Sequence, residues 1–195
     1  MKIVIYSGSF NPVHNGHLAV AQAALAEGND EVWMLVSPQN PHKNEAELWP
    51  FEQRMEMVEL AIANFPRIKA SDCENYLPRP SYTIHTLEYL QKSFPQHNFR
   101  LLIGGDNLLK FHLWKDYLRI VETYGLLVYP RSGMPVHELE FHPNVDRIKA
   151  PLLDISSSEI RKKITEKQSV TNLVPPDVER YILQKLKDDR SKSVF

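Results

Sequence analysis

Short runs of β-branched and other apolar residues alternate along the chain with segments in which apolar residues recur every three or four positions. The runs predict strands at 2–7, 31–37, 67–71, 99–104 and 125–129, with a weaker one at 147–150. Four sets of residues have helical spacing: Leu18, Ala21 and Leu25; Phe51, Met55, Val58, Ile62 and Phe65; Ile84, Leu87 and Leu90; Val178, Ile182 and Leu186. Strands that alternate with helices predict an α/β fold, a doubly wound parallel sheet with helices on both faces.

The same pattern predicts how the chain is divided. No repeat or low-complexity segment interrupts 1–187, so these residues are predicted to form a single domain that includes C-terminal helices at 157–187. The last helix is expected to begin at Pro175-Pro176-Asp177, because proline is favoured at the first helical position. A long loop is predicted at 130–143 and a flexible tail at 188–195.

Composition narrows the classes of partner. The 23 basic residues nearly cancel the 24 acidic ones among 195 residues, which argues against a basic surface for non-specific nucleic-acid binding. The single cysteine, Cys73, allows no disulfide within the chain, and the first apolar run, 3–6, is too short for a signal peptide or a membrane span. We therefore expect a cytoplasmic protein with no nucleic-acid or membrane partner, and the sequence leaves the oligomeric state open.

The first predicted strand runs directly into a segment that carries two histidines, Gly8-Ser9-Phe10-Asn11-Pro12-Val13-His14-Asn15-Gly16-His17. Ligands of open α/β sheets bind beyond the carboxyl ends of strands, and a helix N-terminus attracts anions. Gly8 and Gly16 allow close approach of the backbone, and Pro12 stiffens the turn. Solvated loop histidines and a metal-binding pair are the alternatives, but the setting favours a phosphate site.

A second segment, Ile155-Ser156-Ser157-Ser158-Glu159-Ile160-Arg161, predicts the start of a helix. Ser156 and the glutamate three residues later have the spacing of a capping box, which leaves amides of the first turn facing an anion. The planar fork of Arg161 would add donors to a polyphosphate. Taken alone, the segment also fits an ordinary capped surface helix.

These two segments, about 140 residues apart, resemble the G-x-F-x-P-x-H-x-G-H and I-S-S-[ST]-x-I-R signatures of the nucleotidyltransferase superfamily, whose fold is Rossmann-like. Four stretches between them resemble the bacterial nicotinate-nucleotide adenylyltransferases: Pro38-Gln39-Asn40-Pro41-His42-Lys43, Ser81-Tyr82-Thr83, Gly104-Gly105-Asp106-Asn107 and Trp114. The resemblance implies transfer of AMP from ATP to nicotinate mononucleotide, giving deamido-NAD and pyrophosphate in NAD biosynthesis. It also implies Mg²⁺, carried mainly by the ATP phosphates, with no metal ligands from the protein.

The resemblance also implies a role for each matching residue. The catalytic set is His14, His17, Lys43 and Arg161. The ATP-binding set is Gly8, Ser9, Phe10, His17, Ile155, Ser156, Ser157, Ser158 and Arg161. The acceptor-binding set is Ser9, Lys43, Tyr82, Thr83, Gly104, Asp106 and Trp114. Trp114 is expected to stack on the pyridine ring, Thr83 to meet its carboxylate, and Asp106 to bind ribose hydroxyls.

Other interpretations remain open on the sequence. His85 and Gly105 depart from residues common in these adenylyltransferases, so the effect of both on acceptor contacts is unsettled. Phosphopantetheine is an alternative acceptor, and a non-catalytic nucleotide-binding module is an alternative class. Asp106 could instead cap a helix, and Trp114 could be a core aromatic, although Leu113, Leu118 and Ile120 could build a core there without it.

Overall fold

A computed structural model describes residues 1–38, 48–79, 81–130, 135–151 and 153–192, with the side chains to 188. Lys43, which the sequence assigns to catalysis, lies outside the described residues.

The six predicted strands are present, most within one or two residues of the expected bounds. They are β1 (Lys2–Gly8), β2 (Glu31–Val36), β3 (Ile68–Ser71), β4 (Asn98–Gly104), β5 (Leu126–Tyr129) and β6 (Val145–Arg147). The last begins and ends earlier than the predicted 147–150, because Val145, only 7% exposed, is the residue that packs into the core beside β5.

The strands form one parallel sheet in the order β3-β2-β1-β4-β5-β6. The central strand β1 pairs with β2 on one side and with β4 on the other, so the chain reverses its direction of winding there. In such sheets the crevice beyond the carboxyl ends of the strands at the reversal point holds the ligand. The first histidine segment follows β1 and therefore begins at this point.

Helices lie between the strands and after the last one. They are α1 (Asn15–Ala26), α2 (Phe51–Ile62), α3 (Thr83–Ser93), α4 (Gly105–Leu108), α5 (Tyr117–Thr123), α6 (Ser157–Thr165) and α7 (Pro176–Lys192). Short 3₁₀ turns occupy Cys73–Tyr76, Phe111–Leu113 and Glu138–Phe141, the last inside the predicted long loop. Helical backbone continues past Asp188 to Lys192.

Two cores lie on the two faces of the sheet. Val4 and Met34 point into one core, which α1, α2, α6 and α7 cover. Ile3 and Ile5 point into the other, which α3 and α5 cover. Because both faces of a parallel sheet are buried, successive strand positions must be apolar, which is the pattern the sequence carries. The doubly wound Rossmann-like fold is confirmed.

The core expected after β4 is built differently. Leu113 and Leu118 are 69% and 51% exposed, so they do not build the core that the sequence allowed there, whereas Ile120 is fully buried. Phe111, fully buried, takes the core position instead. The reason is local: a 3₁₀ turn and then Asp116 in the left-handed conformation, at φ 51°, change the direction of the chain before α5 begins.

Candidate active site

The two histidines of the first segment stack on each other at the start of α1. Their ring centroids are 3.6 Å apart with 25° between the planes, and His14 is the N-cap of the helix. The backbone N–H of His14 donates to Nδ1 of His17 over 3.2 Å. An imidazole that accepts at Nδ1 in its neutral form carries its proton on Nε2, so His17 is oriented to donate from Nε2.

Gly16 makes room for this stack. A Cβ at this position would lie 2.9 Å from Nδ1 of His14 and 3.0 Å from its Cε1, closer than real side-chain contacts. The His14 ring, buried and stacked on its neighbour, has little space in which to retreat. The backbone at Gly16 therefore packs closely against an imidazole, as expected from the sequence.

Phe10 supports the stack from below. Its ring meets His17 edge-on at 5.0 Å and Tyr6 at 5.4 Å, and it is 2% exposed. A Cβ on Gly8 would lie 3.1 Å from the tip of this ring, so Phe10 fills the space beside Gly8. Because its side chain is buried, Phe10 offers only backbone atoms to a nucleotide.

The second segment packs directly onto the first. Ser157 Oγ donates to the carbonyl of Pro12 over 3.0 Å, and Nη1 of Arg161 donates to the carbonyl of Asn11 over 2.8 Å. Ile155 borders Gly16, with its Cβ 3.8 Å from the position a glycine Cβ would take. The fold thus unites two segments that are far apart in the chain.

The start of α6 is capped as its sequence suggested, in part. Ser156 is the N-cap, and its hydroxyl accepts from the backbone N–H of Glu159 over 3.2 Å. The hydrogen bonds described for these two residues do not include the reciprocal one of a full capping box. Nη2 of Arg161 lies 3.4 Å from Ser158 Oγ on the exposed side of the helix.

Five of the residues predicted to bind the acceptor lie after β3 or at and after the end of β4. Tyr82 is the N-cap of α3, Thr83 is its first residue, and Gly104 ends β4. Asp106 lies within the first turn of α4, whose N-cap is Gly104, so Asp106 is not the cap of that helix. Trp114 is half-buried against the core, 5.1 Å from the Phe111 ring.

Lys115 brings a cation to this group. Its Nζ lies 4.8 Å from the centroid of the Tyr82 ring and 3.3 Å from Nε2 of His85. His85, the departure noted in the sequence, therefore contacts an ammonium group.

Arg54 was not predicted from the sequence, yet it is the largest of the fully buried side chains, at 1% exposure. Its guanidinium donates to four backbone carbonyls, those of Ser9, Ser37, Pro38 and Trp49. Burial lowers the pKa of this guanidinium, and nearby Glu52 opposes that shift. The available signal was a charged residue inside the apolar stripe of α2, between Phe51 and Val58.

Glu74 is a second buried polar residue at the carboxyl ends of the strands, 4% exposed. Its carboxylate accepts from Ser7 Oγ over 2.9 Å and from Ser37 Oγ over 2.5 Å. Burial raises its pKa, against the hydrogen bonds from Ser37 and Ser7, which lower it. The sequence signal was the serine at the end of each of the first two strands.

No group of three or more histidine, cysteine, aspartate or glutamate side chains is arranged to hold a metal ion in the described part of the chain. Within the same residues, no helix has the length and apolar character needed to traverse a bilayer.

Comparison with known proteins identifies the family. Residues 5–163 match the cytidylyltransferase-like family model. The "Probable nicotinate-nucleotide adenylyltransferase" of Bacteroides fragilis is 46% identical over 94% of this chain and 92% of its own length. The protein of the same name from Cytophaga hutchinsonii is 46% identical over 95% of this chain and 97% of its own.

Solved structures share the fold. The nicotinic acid mononucleotide adenylyltransferase of Plasmodium falciparum complexed with NaAD superposes with a TM-score of 0.78 at 22% identity, over 94% of this chain and 95% of its own. A putative nicotinate-nucleotide adenylyltransferase from Vibrio parahaemolyticus gives 0.72 at 23%, over 93% and 98%. With the relatives at 46% identity over nearly the whole length, the chain belongs to the cytidylyltransferase-like family and, within it, to the nicotinate-nucleotide adenylyltransferases.

Proposed function

We propose that the protein transfers AMP from ATP to nicotinate mononucleotide, releasing pyrophosphate and forming deamido-NAD. An oxygen of the acceptor phosphate attacks the α-phosphorus of ATP, the bond to the oxygen that bridges the α- and β-phosphates breaks, and its electron pair leaves with pyrophosphate. No enzyme nucleophile is needed, so binding, alignment and charge stabilisation account for the rate. The observation that carries the proposal is the contact of both signature segments at the stacked histidines.

His14 and His17 are the proposed donors to the α- and β-phosphate oxygens. They sit at the N-terminus of α1, where the helix dipole also favours an anion. The hydrogen bond from the His14 backbone to Nδ1 of His17 fixes which ring nitrogen donates. A donor held in place before reaction stabilises the charge that builds as pyrophosphate leaves.

Arg161 and the serines of the second segment are proposed to hold the triphosphate. Nη1 of the guanidinium donates to the carbonyl of Asn11, and Nη2 lies by Ser158 on the exposed side of the helix. Nη2 would bind a phosphate there while the bond from Nη1 to Asn11 is kept. The first-turn amides of α6 face the same side as its N-cap Ser156, and Ile155 and Ser157 contact the first segment. Ser9 and Gly8 would approach the nucleotide through their backbone.

The acceptor is proposed to lie between α3 and the turn that ends at Trp114. The exposed part of Trp114 offers a flat face to the pyridine ring, and Thr83, with Tyr82 beside it, offers donors to the carboxylate. Gly104 and Asp106 follow β4 and are suited to ribose hydroxyls. Lys43 remains a sequence-based proposal for contact with both substrates.

Nucleotidyltransferases use a divalent metal ion with ATP, and we propose Mg²⁺ here, bound through the triphosphate. Magnesium keeps several of its waters and is often held chiefly by substrate phosphates. We also propose that the enzyme works in the cytoplasm, where ATP and a reduced Cys73 are both expected.

The direct test is to incubate the purified protein with Mg²⁺, ATP and nicotinate mononucleotide and to identify the products by mass spectrometry. Equal amounts of deamido-NAD and pyrophosphate are expected. His17→Ala should lower turnover by about 10²-fold, the loss seen when one preorganised donor to a developing oxyanion is removed. A protein that binds ATP but forms neither product would instead be a nucleotide-binding module.

A further inference from the structure

We propose that Arg54 is a positioning residue of the active site: it holds the loop that carries the catalytic histidines to the end of β2 and so sets the position of His17. The inference rests on the proposed function, because it assigns a role in that reaction. Arg54 touches no substrate in this account and acts through the backbone and Phe10.

The guanidinium joins three separate stretches of chain. Nη1 donates to the carbonyls of Ser9, over 2.7 Å, and Ser37, over 2.8 Å. Nη2 donates to Pro38 over 3.1 Å, and Nε donates to Trp49 over 2.9 Å. A lysine presents its donors from a single nitrogen and cannot match this fork of donors in several directions. The identity of the residue, and not only its charge, is therefore required by the geometry.

The loop is held on both sides of Phe10. On one side Arg54 bonds directly to Ser9. On the other side, the backbone N–H of Trp49 donates to Oδ1 of Asn11 over 3.0 Å, and the carbonyl of the same Trp49 accepts from Arg54. Of the two neighbours of Phe10, Ser9 is therefore bonded to Arg54 directly, and Asn11 is linked to Arg54 through Trp49.

Phe10 needs this restraint. Its φ is 42°, in the left-handed region, which is unfavourable for a residue with a side chain. Its ring in turn meets the His17 ring edge-on at 5.0 Å. If the restraint is lost, the backbone can relax toward a commoner conformation, the ring of Phe10 moves, and His17 moves with it.

The network extends to the second signature segment. The carbonyl of Asn11 accepts from Arg161, so Arg54, Trp49, Asn11 and Arg161 form a continuous chain of hydrogen bonds from α2 to α6. A displacement at Arg54 is therefore expected to reach both sides of the proposed triphosphate site.

The charge of Arg54 has a consequence of its own. Within the part of the chain that the structure describes, no ion pair includes Arg54, and the groups to which it donates are neutral carbonyls. A buried charge without a carboxylate partner is costly unless it is well hydrogen-bonded. Because the side chain is bonded to the loop after β1, its positive charge also favours an anion at that loop.

The test compares three variants with the wild type: Arg54→Met, Arg54→Lys and the control Met57→Ala. Met57 lies one turn further along α2 and is fully buried in the same core, so its truncation destabilises the same helix and removes none of the hydrogen bonds of Arg54. kcat and KM for both substrates are measured at a temperature where circular dichroism shows each protein to be fully folded.

Arg54→Met should lower kcat by about 10²-fold, the cost of a misplacement on the order of 1 Å. Arg54→Lys should give a smaller loss, and Met57→Ala should stay within about threefold of wild type at a comparable loss of melting temperature. Arg54→Met with wild-type kcat, or with a loss no greater than that of Met57→Ala, would overturn the proposal.

A second measurement does not depend on turnover. The ¹⁵N chemical shifts of the imidazole nitrogens report whether Nδ1 of His17 still accepts from the backbone of His14. These shifts should change in both Arg54 variants and stay unchanged in Met57→Ala; unchanged shifts in the Arg54 variants would refute the positioning role. If the wild type makes no deamido-NAD, the proposed function fails, while these shifts still decide the role of Arg54.

Discussion

Replacing Gly16 by alanine should reduce turnover without unfolding the protein. The added Cβ would lie 2.9 Å from Nδ1 of His14, whereas ordinary contacts begin at 3.4 Å, so the ring must move by about half an ångström. The ring cannot swing away freely, since His14 is 6% exposed and stacked 3.6 Å from His17. Where 1 Å of misplacement costs about 10²-fold, half that distance should cost about 10-fold in kcat.

The effect on stability of Gly16→Ala should be small. Alanine gains up to about 1 kcal/mol over glycine inside a helix, and overpacking costs about 1–3 kcal/mol. The matched control is Gly28→Ala, at φ 82° with open space around it, which should lower the melting temperature and leave kcat unchanged. Steady-state kinetics at saturating ATP and acceptor, with thermal melts, compare the two. Full turnover by Gly16→Ala would show that the stacked arrangement is not required for the reaction.

Three further predictions follow from named contacts. Arg161→Ala should raise the KM for ATP by about 10-fold, because a charge-assisted bond to phosphate is lost. Lys162→Ala, the control at the exposed neighbouring residue, should leave this KM unchanged. Equal ATP kinetics in the two variants would contradict the role of Arg161 in binding the triphosphate. Trp114→Ala should raise the KM for nicotinate mononucleotide more than the KM for ATP. The control Leu113→Ala, at an exposed position, should change neither KM. An equal rise in both KM values for Trp114→Ala would indicate that this aromatic side chain has a purely structural role. Burial raises the pKa of Glu74. The stability that this residue contributes is therefore fully present below about pH 4.5 and is lost as the pH rises through the raised pKa. Glu74→Gln should therefore abolish this loss of stability in a plot of melting temperature against pH. Parallel plots for the variant and the wild type would refute the prediction.

The sequence predicted the features that depend on local pattern. Strand and helix positions followed from the spacing of apolar residues, and the two signature segments were recognisable because each is contiguous. The strand order at β1 could not be read from spacing, because pairing depends on how distant strands pack.

The parts of the site that the sequence missed are those built from backbone contacts between distant residues. Arg54 bonds to carbonyls at Ser9 and Pro38, and a carbonyl has no signature in the sequence of its residue. Glu74 is defined by serines that precede it by many positions. Leu113 and Leu118 do not build a core after β4, because a 3₁₀ turn and then the left-handed residue Asp116 change the direction of the chain. The spacing of apolar residues does not reveal such a change of direction.

Adenylyl transfer to a nicotinate nucleotide is tested by comparing kcat/KM for three acceptors with ATP: nicotinate mononucleotide, nicotinamide mononucleotide and phosphopantetheine. Pyrophosphate release measures all three on the same scale. We expect the nicotinate form to exceed the nicotinamide form by at least about 10-fold, because donors placed for a carboxylate lose a charge-assisted bond to an amide. We expect no measurable turnover of phosphopantetheine. A higher kcat/KM for phosphopantetheine than for nicotinate mononucleotide would contradict the account.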